Sequence, residues 1–169
     1  MVQDIDREFG QPLSIITPVY ETLHELREAY NTAKNNGEIS EEHYKKRLKE
    51  QKSQARELYT YLATWGLMRL RAEEMSRNAW GNRPILQIPL PEKARKDQEG
   101  KREILERFFR CLERVSGQQN LANTNGAQTL KDLHPNNYIG LTGIALAVAR
   151  EFSFWTEAIY PDIKGEETE

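Results

Sequence analysis

Few residues of this 169-residue chain have the types and the spacing that catalysis or metal binding requires. Glu21-x-x-His24 is one half of the paired Glu-x-x-His signature of di-metal helical bundles, but no second copy occurs, and His43 and His134 lack ligand spacing. The only cysteine, Cys111, stands in an apolar run, where a buried and inert thiol is expected. We therefore predict no enzyme, no metal site and no cofactor, and we interpret His24 as a surface histidine beside a helical glutamate.

Two clusters of basic residues give a stronger functional signal. The first spans residues 45–56 and has six cations against one acid; the second spans residues 93–102 and has five cations against two acids. Contact with a phosphate backbone needs mobile cations and no fixed spacing, so both clusters could bind RNA. A solvated helix face with its own salt bridges is the alternative. The candidates for phosphate contact in these clusters are Lys45, Lys46, Lys49, Lys52, Lys93, Arg95, Lys96, Lys101 and Arg102.

The composition predicts one helical domain in the cytoplasm. Apolar residues make up 38% and charged residues 30%, and the formal net charge is −2, so the chain is rich in surface and is no polycation. The apolar stretch Ile139–Ala149 stops at Arg150, well short of the roughly 20 residues of a membrane-spanning helix. The first residues, MVQDIDREFGQ, are polar and acidic, unlike a signal peptide. We expect neither a membrane partner nor a small-molecule substrate.

Capping residues predict the first two helices, which would have to position the first basic cluster. Thr17-Pro18 predicts the start of the first helix, because a hydroxyl N-cap precedes a proline at the first helical position. Asn36-Gly37 predicts its end. Ser40 caps a second, unusually long helix, in which Gly66 is the expected place for a bend. The two helices form an antiparallel hairpin.

The rest of the chain completes an all-α fold. Three prolines make residues 79–99 an irregular connection, and a third helix is expected over about residues 100–116. A short helical turn leads to the final helix, which ends before Pro161. An N-terminal extension over 1–16 and a disordered acidic tail over 161–169 flank the fold. We therefore predict a single-domain bundle of four to five helices with a proline-rich connecting loop.

The final helix has the clearest apolar stripe, and its small residues suggest an interface. Its core positions recur at intervals of three and four residues, at Leu141, Ile144, Val148, Phe152, Trp155 and Ile159. The small residues beside them let another backbone come near, either to complete the core or to receive a neighbouring subunit. On the second helix, Trp65 belongs either to the core or to an interface. The candidates for a protein interface are Trp65, Gly140, Gly143 and Ala147.

Two stretches of the chain are similar to a known family. Residues 61–75, YLATWGLMRLRAEEM, contain a Gly-Leu step within an apolar run that includes alanine. The final helix has a tyrosine, a Thr-x-x-Ala-Leu core, aromatic residues and a closing alanine, at Tyr138, Thr142, Ala145-Leu146, Phe152–Trp155 and Ala158. REILERFFRCLERV lies between the two stretches. In this order of elements, over about residues 20–160, the chain resembles the small α-helical subunit of type III-B (Cmr) CRISPR RNA-guided effector complexes.

The resemblance implies a non-catalytic subunit of an RNA-guided antiviral complex. Copies of the chain would stack along a filament, pack against other subunits of the effector complex and contact guide or target RNA through basic surfaces. Arg69 and Arg71, which follow the Gly-Leu step, join the candidates for RNA contact. The alternative is a helical adaptor or oligomerisation module without nucleic-acid contact. Basic side chains on one face would favour RNA, whereas pairing of each with a glutamate would favour the adaptor.

Overall fold

The computed structural model of this protein describes residues 12–77 and 98–164, which contain six α-helices and no strand. The helices are α1 (Pro12–Asn35), α2 (Glu41–Trp65), α3 (Leu67–Arg77), α4 (Glu99–Ser116), α5 (Gly126–Asp132) and α6 (Pro135–Ile159). The all-α class is thereby confirmed for these residues. Most of the connection predicted over 79–99 lies outside them, and its irregular conformation stays a prediction. Within the described ranges, no helix has the length and apolar character needed to cross a bilayer.

Helix α1 begins earlier than the sequence predicts. It starts at Pro12 instead of Thr17-Pro18, so Pro18 lies inside the helix and the N-terminal extension predicted over 1–16 is shortened. A proline in a helix interior removes one backbone hydrogen bond, and packing has to outweigh that loss. Pro18 is buried and Ile15 packs against the core, which gives the first turns of α1 such packing. The helix ends ahead of Gly37, as predicted.

Gly66 divides the long second helix of the sequence prediction into α2 and α3. Its φ of 86° is a conformation that glycine adopts without a Cβ clash, and its N–H donates to the Leu62 carbonyl at 2.9 Å. At the other end of α2, Ser40 is the N-cap, as expected: its Oγ accepts from the His43 N–H at 3.2 Å. The bend lets α3 turn away and pack against α4 and α5.

The four long helices α1, α2, α4 and α6 form the bundle, and side-chain contacts give their directions. The start of α4 contacts the end of α1, and the end of α4 contacts the start of α1, so these helices are antiparallel. The same pattern makes α2 antiparallel to α6 and, across the hairpin, to α1. Thus α1 and α6 point one way, and α2 and α4 point the other. Leu48, Phe108 and Phe152 are fully buried where the helices meet.

The bundle has two chemically different ends. The hairpin end carries the α1–α2 turn, the start of α4, the end of α6 and residues 161–164. The junction end carries the start of α1, the α2–α3 junction and the start of α6. At the hairpin end, Lys52 Nζ donates to the carbonyls of Tyr160 at 2.8 Å and Ile163 at 2.6 Å. The tail predicted as disordered over 161–169 is therefore packed as far as Ile163, Lys164 is exposed, and residues 165–169 lie outside the described ones.

Candidate functional site

Two uncharged stretches lie side by side at the junction end. Residues 58–68, LYTYLATWGLM, close α2 and open α3; residues 135–149, PNNYIGLTGIALAVA, open α6; neither contains Asp, Glu, Lys or Arg. Two hydrogen bonds bracket the seam between them. Arg150 Nη2 donates to Tyr59 Oη at 3.1 Å, and the Met68 N–H donates to Tyr138 Oη at 3.1 Å. In a chain with 30% charged residues, this arrangement concentrates uncharged surface in one place.

The outward side of the two stretches is exposed to solvent. We call it the uncharged surface and define it by Ala63, Trp65, Met68, Ile139, Gly140 and Gly143. Ile139 is 69% exposed and Trp65 is 54% exposed. A Cβ atom placed on Gly140 or Gly143 would meet no other atom within 4 Å. The two glycines therefore make a flat strip on α6 that no described part of the chain covers.

Two arginines stand at the rim of the uncharged surface, and an aromatic ring holds each of them. Arg69 Cζ lies 4.5 Å from the ring centroid of Trp65, and Arg150 Cζ lies 5.0 Å from that of Tyr59. Both arginines are exposed, and over the described ranges neither forms an ion pair with a carboxylate. The rim is therefore cationic, and a carboxylate from another molecule would find guanidinium partners there.

Three cations predicted to contact phosphate lie inside the protein. Lys52, Arg71 and Arg102 are only 2–4% exposed. Lys52 binds the segment after α6 through the carbonyls of Tyr160 and Ile163. Arg71 pairs with Glu74, and its Nε donates to the Leu121 carbonyl at 2.8 Å, which joins α3 to the loop before α5. These side chains hold elements of the fold together, because their donors are already used by internal acceptors.

Arg102 belongs to a buried network of charges on α4. Its guanidinium lies 2.7 Å from Glu99 and 2.9 Å from Glu106. Beside it, burial raises the pKa of Glu103 to about 7, and the hydrogen bond from Tyr30 Oη at 2.6 Å opposes that rise. Burial also raises the pKa of Glu106. A carboxyl group as deeply buried as Glu103 has no access to a substrate. Its raised pKa is therefore a consequence of the packing of α1 on α4 and does not indicate catalysis.

The other candidates for phosphate contact fall into three groups. Three are exposed on the first half of α2: Lys45, Lys46 and Lys49. Two stand apart from these, Arg69 at the rim of the uncharged surface and Lys101 half-buried on α4. Three lie outside the described residues: Lys93, Arg95 and Lys96. Over the described ranges the predicted basic residues are therefore not gathered on one face, and those at the start of α2 are the largest exposed group among them.

A cleft at the hairpin end is lined by lysines from three elements. It has a volume of about 310 Å³ and lies between the end of α1, the start of α2 and residues 162–164. We call it the lysine cleft, after Lys34, Lys45, Lys49 and Lys164. Tyr44 and Ile163 also line it, together with two carboxylates, Glu41 and Asp162. It is the place where predicted phosphate contacts of α2 meet cations from elsewhere in the chain.

The half-signature Glu21-x-x-His24 is not joined by a second pair of ligands. Glu21 binds Arg114 at 2.8 Å, and His24 stacks on Tyr20 with 5.6 Å between the ring centroids. Over residues 12–77 and 98–164, no three His, Cys, Asp or Glu side chains are grouped so that they could hold a metal ion. Burial raises the pKa of Cys111 to about 12, which keeps its thiol protonated and unreactive.

Three of the four predicted interface residues are exposed at the junction end. Trp65, Gly140 and Gly143 all belong to the uncharged surface, and Ala147 lies one helical turn farther along α6, half-buried. Met68 and Ile139 belong to the same surface but were not among the predicted interface residues. The lack of charge over both stretches is the signal that could have found them, because exposed positions of a helix are normally polar.

No protein-family model, no curated protein and no solved structure matches this chain. Two features stand out: the uncharged surface at the junction end and the lysine cleft at the hairpin end.

Proposed function

We propose that this protein is a non-catalytic docking subunit, a helical bundle that binds another protein through the uncharged surface. The observation that supports it is the exposed apolar seam beside the bare strip of Gly140 and Gly143. Burial of apolar area stabilises a complex by about 25 cal/mol per Å², and exposed apolar patches commonly mark interaction sites. Glycines without a Cβ let a partner backbone approach α6 closely.

The partner that fits this surface is an amphipathic helix with acidic flanks. A helix presents a continuous apolar stripe, which suits the seam between two packed helices. Arg69 and Arg150 at the rim would then pair with its carboxylates, giving orientation and a faster association rate. Trp65 would be the main anchor, because large aromatic side chains contribute most to such interfaces.

The interior cations also favour docking over RNA binding. Lys52, Arg71 and Arg102 are buried, and each is paired with at least one glutamate. A buried guanidinium held by carboxylates and carbonyls cannot reach a phosphate without breaking the fold. Among the candidates in the described ranges, these three are paired with glutamates and turned away from solvent, which supports the adaptor alternative over a single basic face.

A bulky substitution on the strip tests the docking function. We expect Gly143→Phe to abolish retention of the proteins that co-purify with the full chain from its native cell, because the ring would block close approach to α6. The matched control is Thr32→Phe, which places the same ring at an exposed position of α1 at the hairpin end. If both variants retain the same proteins as the unmodified chain, the docking function is wrong.

Light scattering on the purified chain tests whether the partner is a second copy of the same chain. A dimer that Gly143→Phe dissociates and Thr32→Phe preserves would make the partner a second copy of this chain. Circular dichroism has to show the same helical content in both variants, since a misfolded chain would also lose its partners.

A second candidate function follows the family resemblance. In it, the chain is the small subunit of a type III-B CRISPR effector complex, packs against other subunits and copies of itself, and contacts guide or target RNA. One observation favours it: Lys45, Lys46 and Lys49 are all exposed on the first half of α2. The contact would be with the phosphate backbone, so it would be independent of RNA sequence and would weaken steeply with salt.

A titration with single-stranded RNA across salt concentrations tests this second function. Replacing Lys45, Lys46 and Lys49 by glutamine should lower the affinity and reduce the slope of log affinity against log salt by about 0.7 per lost contact. Replacing Arg56, Arg114 and Lys131 by glutamine removes the same net charge elsewhere and is the control. Absence of RNA binding at low salt, even with co-purified partner proteins present, would exclude the second function.

A further inference from the structure

The two carboxylates of the lysine cleft are already neutralised by their neighbours. Glu41 lies 3.6 Å from Lys34 Nζ and 3.6 Å from Lys45 Nζ. Asp162 receives two hydrogen bonds from Arg27, at 2.7 and 2.8 Å. In these contacts three cations, Lys34, Lys45 and Arg27, pair with the two carboxylates. The other two lysines of the cleft, Lys49 and Lys164, add to this positive charge. The cleft therefore has a surplus of positive charge.

Lys49 and Lys164 supply the uncompensated charge. Both are exposed, and neither forms a hydrogen bond or an ion pair with any described residue. They line the cleft from two different elements, Lys49 from α2 and Lys164 from the segment that follows α6. That segment is fixed in place because Lys52 Nζ, itself a buried cation, binds the carbonyl of Ile163 at 2.6 Å. Two ammonium groups thus line one hollow, and no carboxylate of the described residues pairs with either of them.

The shape of the cleft suits a compact anion better than a strand of nucleic acid. Its volume of about 310 Å³ is at the lower end of the usual range for small-ligand sites. Tyr44 and Ile163 make part of its wall apolar, and Lys34 Nζ lies 4.3 Å from the Tyr44 ring centroid. A nucleic-acid strand needs cations spaced along a track. Here the cations come from three separate elements and converge on one place.

We propose that the lysine cleft binds a compact phosphate ester of nucleotide size, with its phosphate groups between Lys49 and Lys164. A phosphate monoester or diphosphate has nearly two negative charges or more and several acceptor oxygens, so it can engage both ammonium groups at once. Lysine binds phosphate as a point charge without a fixed geometry, which is consistent with two flexible side chains on separate elements. The site is independent of the docking function, because it lies at the other end of the bundle.

Titration calorimetry on the full chain at low salt tests the site with pyrophosphate, ATP and adenosine as probes. Pyrophosphate and ATP should bind and adenosine should not. Lys49→Met and Lys164→Met, which keep an apolar stem and remove the charge, should each weaken binding about tenfold. Lys131→Met removes an exposed lysine on α5, far from the cleft, and should leave the affinity unchanged. Because the three lysines are exposed, the variants should fold like the unmodified chain.

Three results would overturn the proposal. The first is absence of binding by both phosphate probes at low salt. The second is an equal loss of affinity in Lys131→Met, which would mean that only net charge matters. The third is tight binding of a short single-stranded RNA that depends on Lys49 while ATP and pyrophosphate fail to bind, which would make the cleft part of a nucleic-acid surface.

Discussion

Gly143 and Gly126 are both helical glycines, but a methyl group at each would meet very different surroundings. A Cβ on Gly143 meets nothing within 4 Å, whereas a Cβ on Gly126 clashes with the Leu121 carbonyl and with Arg71. Gly143→Ala should therefore raise the free energy of unfolding by about 0.5–1 kcal/mol, because alanine loses less conformational entropy in a helix. Gly126→Ala should lower it. Thermal melts followed by circular dichroism measure both changes, and destabilisation by Gly143→Ala would mean that the uncharged surface is covered.

Arg69 and Arg71 are two residues apart in α3 but have opposite environments. Arg71 is buried against Glu74 and the Leu121 carbonyl, whereas Arg69 lies exposed over Trp65. Arg71→Met leaves a buried carboxylate and a buried carbonyl without a partner, so it should lower the free energy of unfolding by about 3–5 kcal/mol. Arg69→Met should lower it by no more than about 1 kcal/mol. Urea denaturation compares them, and equal effects would contradict the assigned burial.

At the scale of elements, the contact between α1 and α4 should make stability depend on pH. Burial raises the pKa of Glu103 to about 7 from its ordinary 4.5, nearby Glu99 raises it further, and the hydrogen bond from Tyr30 together with the charge of Arg102 opposes the rise. Between these two values the folded state binds more protons than the unfolded state. The contribution of Glu103 to the free energy of unfolding is therefore most favourable below about pH 4.5. It is lost as the pH rises to about 7.

Glu103→Gln tests this dependence, because the amide oxygen still accepts the hydrogen bond from Tyr30 and carries no charge. Relative to the unmodified chain, the variant should gain about 3 kcal/mol in free energy of unfolding between about pH 5 and about pH 8. Urea denaturation at the two pH values measures the difference. A constant difference between the two proteins would show that Glu103 stays ionised in the folded state.

The helices could be predicted from the sequence more completely than the contacts between them. Ser40, Gly37 and Gly66 mark helix boundaries through local backbone chemistry, and the structure places boundaries there. The start of α1 was missed because tertiary packing outweighs the helix-breaking tendency of Pro18. The burial of Lys52 also has no local signal, because its acceptors are carbonyls 108 and 111 residues later in the chain. The partners that allow Lys52 to be buried come from a distant element, so the local sequence does not show them.

At the scale of the whole molecule, the uncharged surface and the lysine cleft lie at opposite ends of helices α2 and α6. Changes at the two places share no contact and should act additively. Ile139→Asp should therefore leave ATP affinity unchanged, and Lys49→Met should leave partner retention unchanged. Calorimetry and co-purification on the single and double variants check this. A loss of both activities in one single variant would mean that the two ends are coupled through the bundle.

The candidate site was only partly predictable from the sequence, for a reason that belongs to the topology. Trp65 and Gly143 could be selected because an uncharged stretch in a charged chain is visible locally. That their two stretches lie side by side follows only once α2 and α6 are known to be antiparallel. The lysine cleft could not be foreseen, since Lys34 and Lys164 are separated by most of the chain and join through the packing of residues 161–164.

The contact of α6 with α1, α2 and α4 also determines when the protein can mature during its synthesis. Domains fold from the N-terminus as the chain emerges from the ribosome. Here three of the four long helices, α1, α2 and α4, emerge before α6, against which all three pack. Until residues 135–163 emerge, Phe108, which packs on Phe152 of α6, stays open to other apolar chains. A nascent chain stalled before α6 should therefore be bound by chaperones.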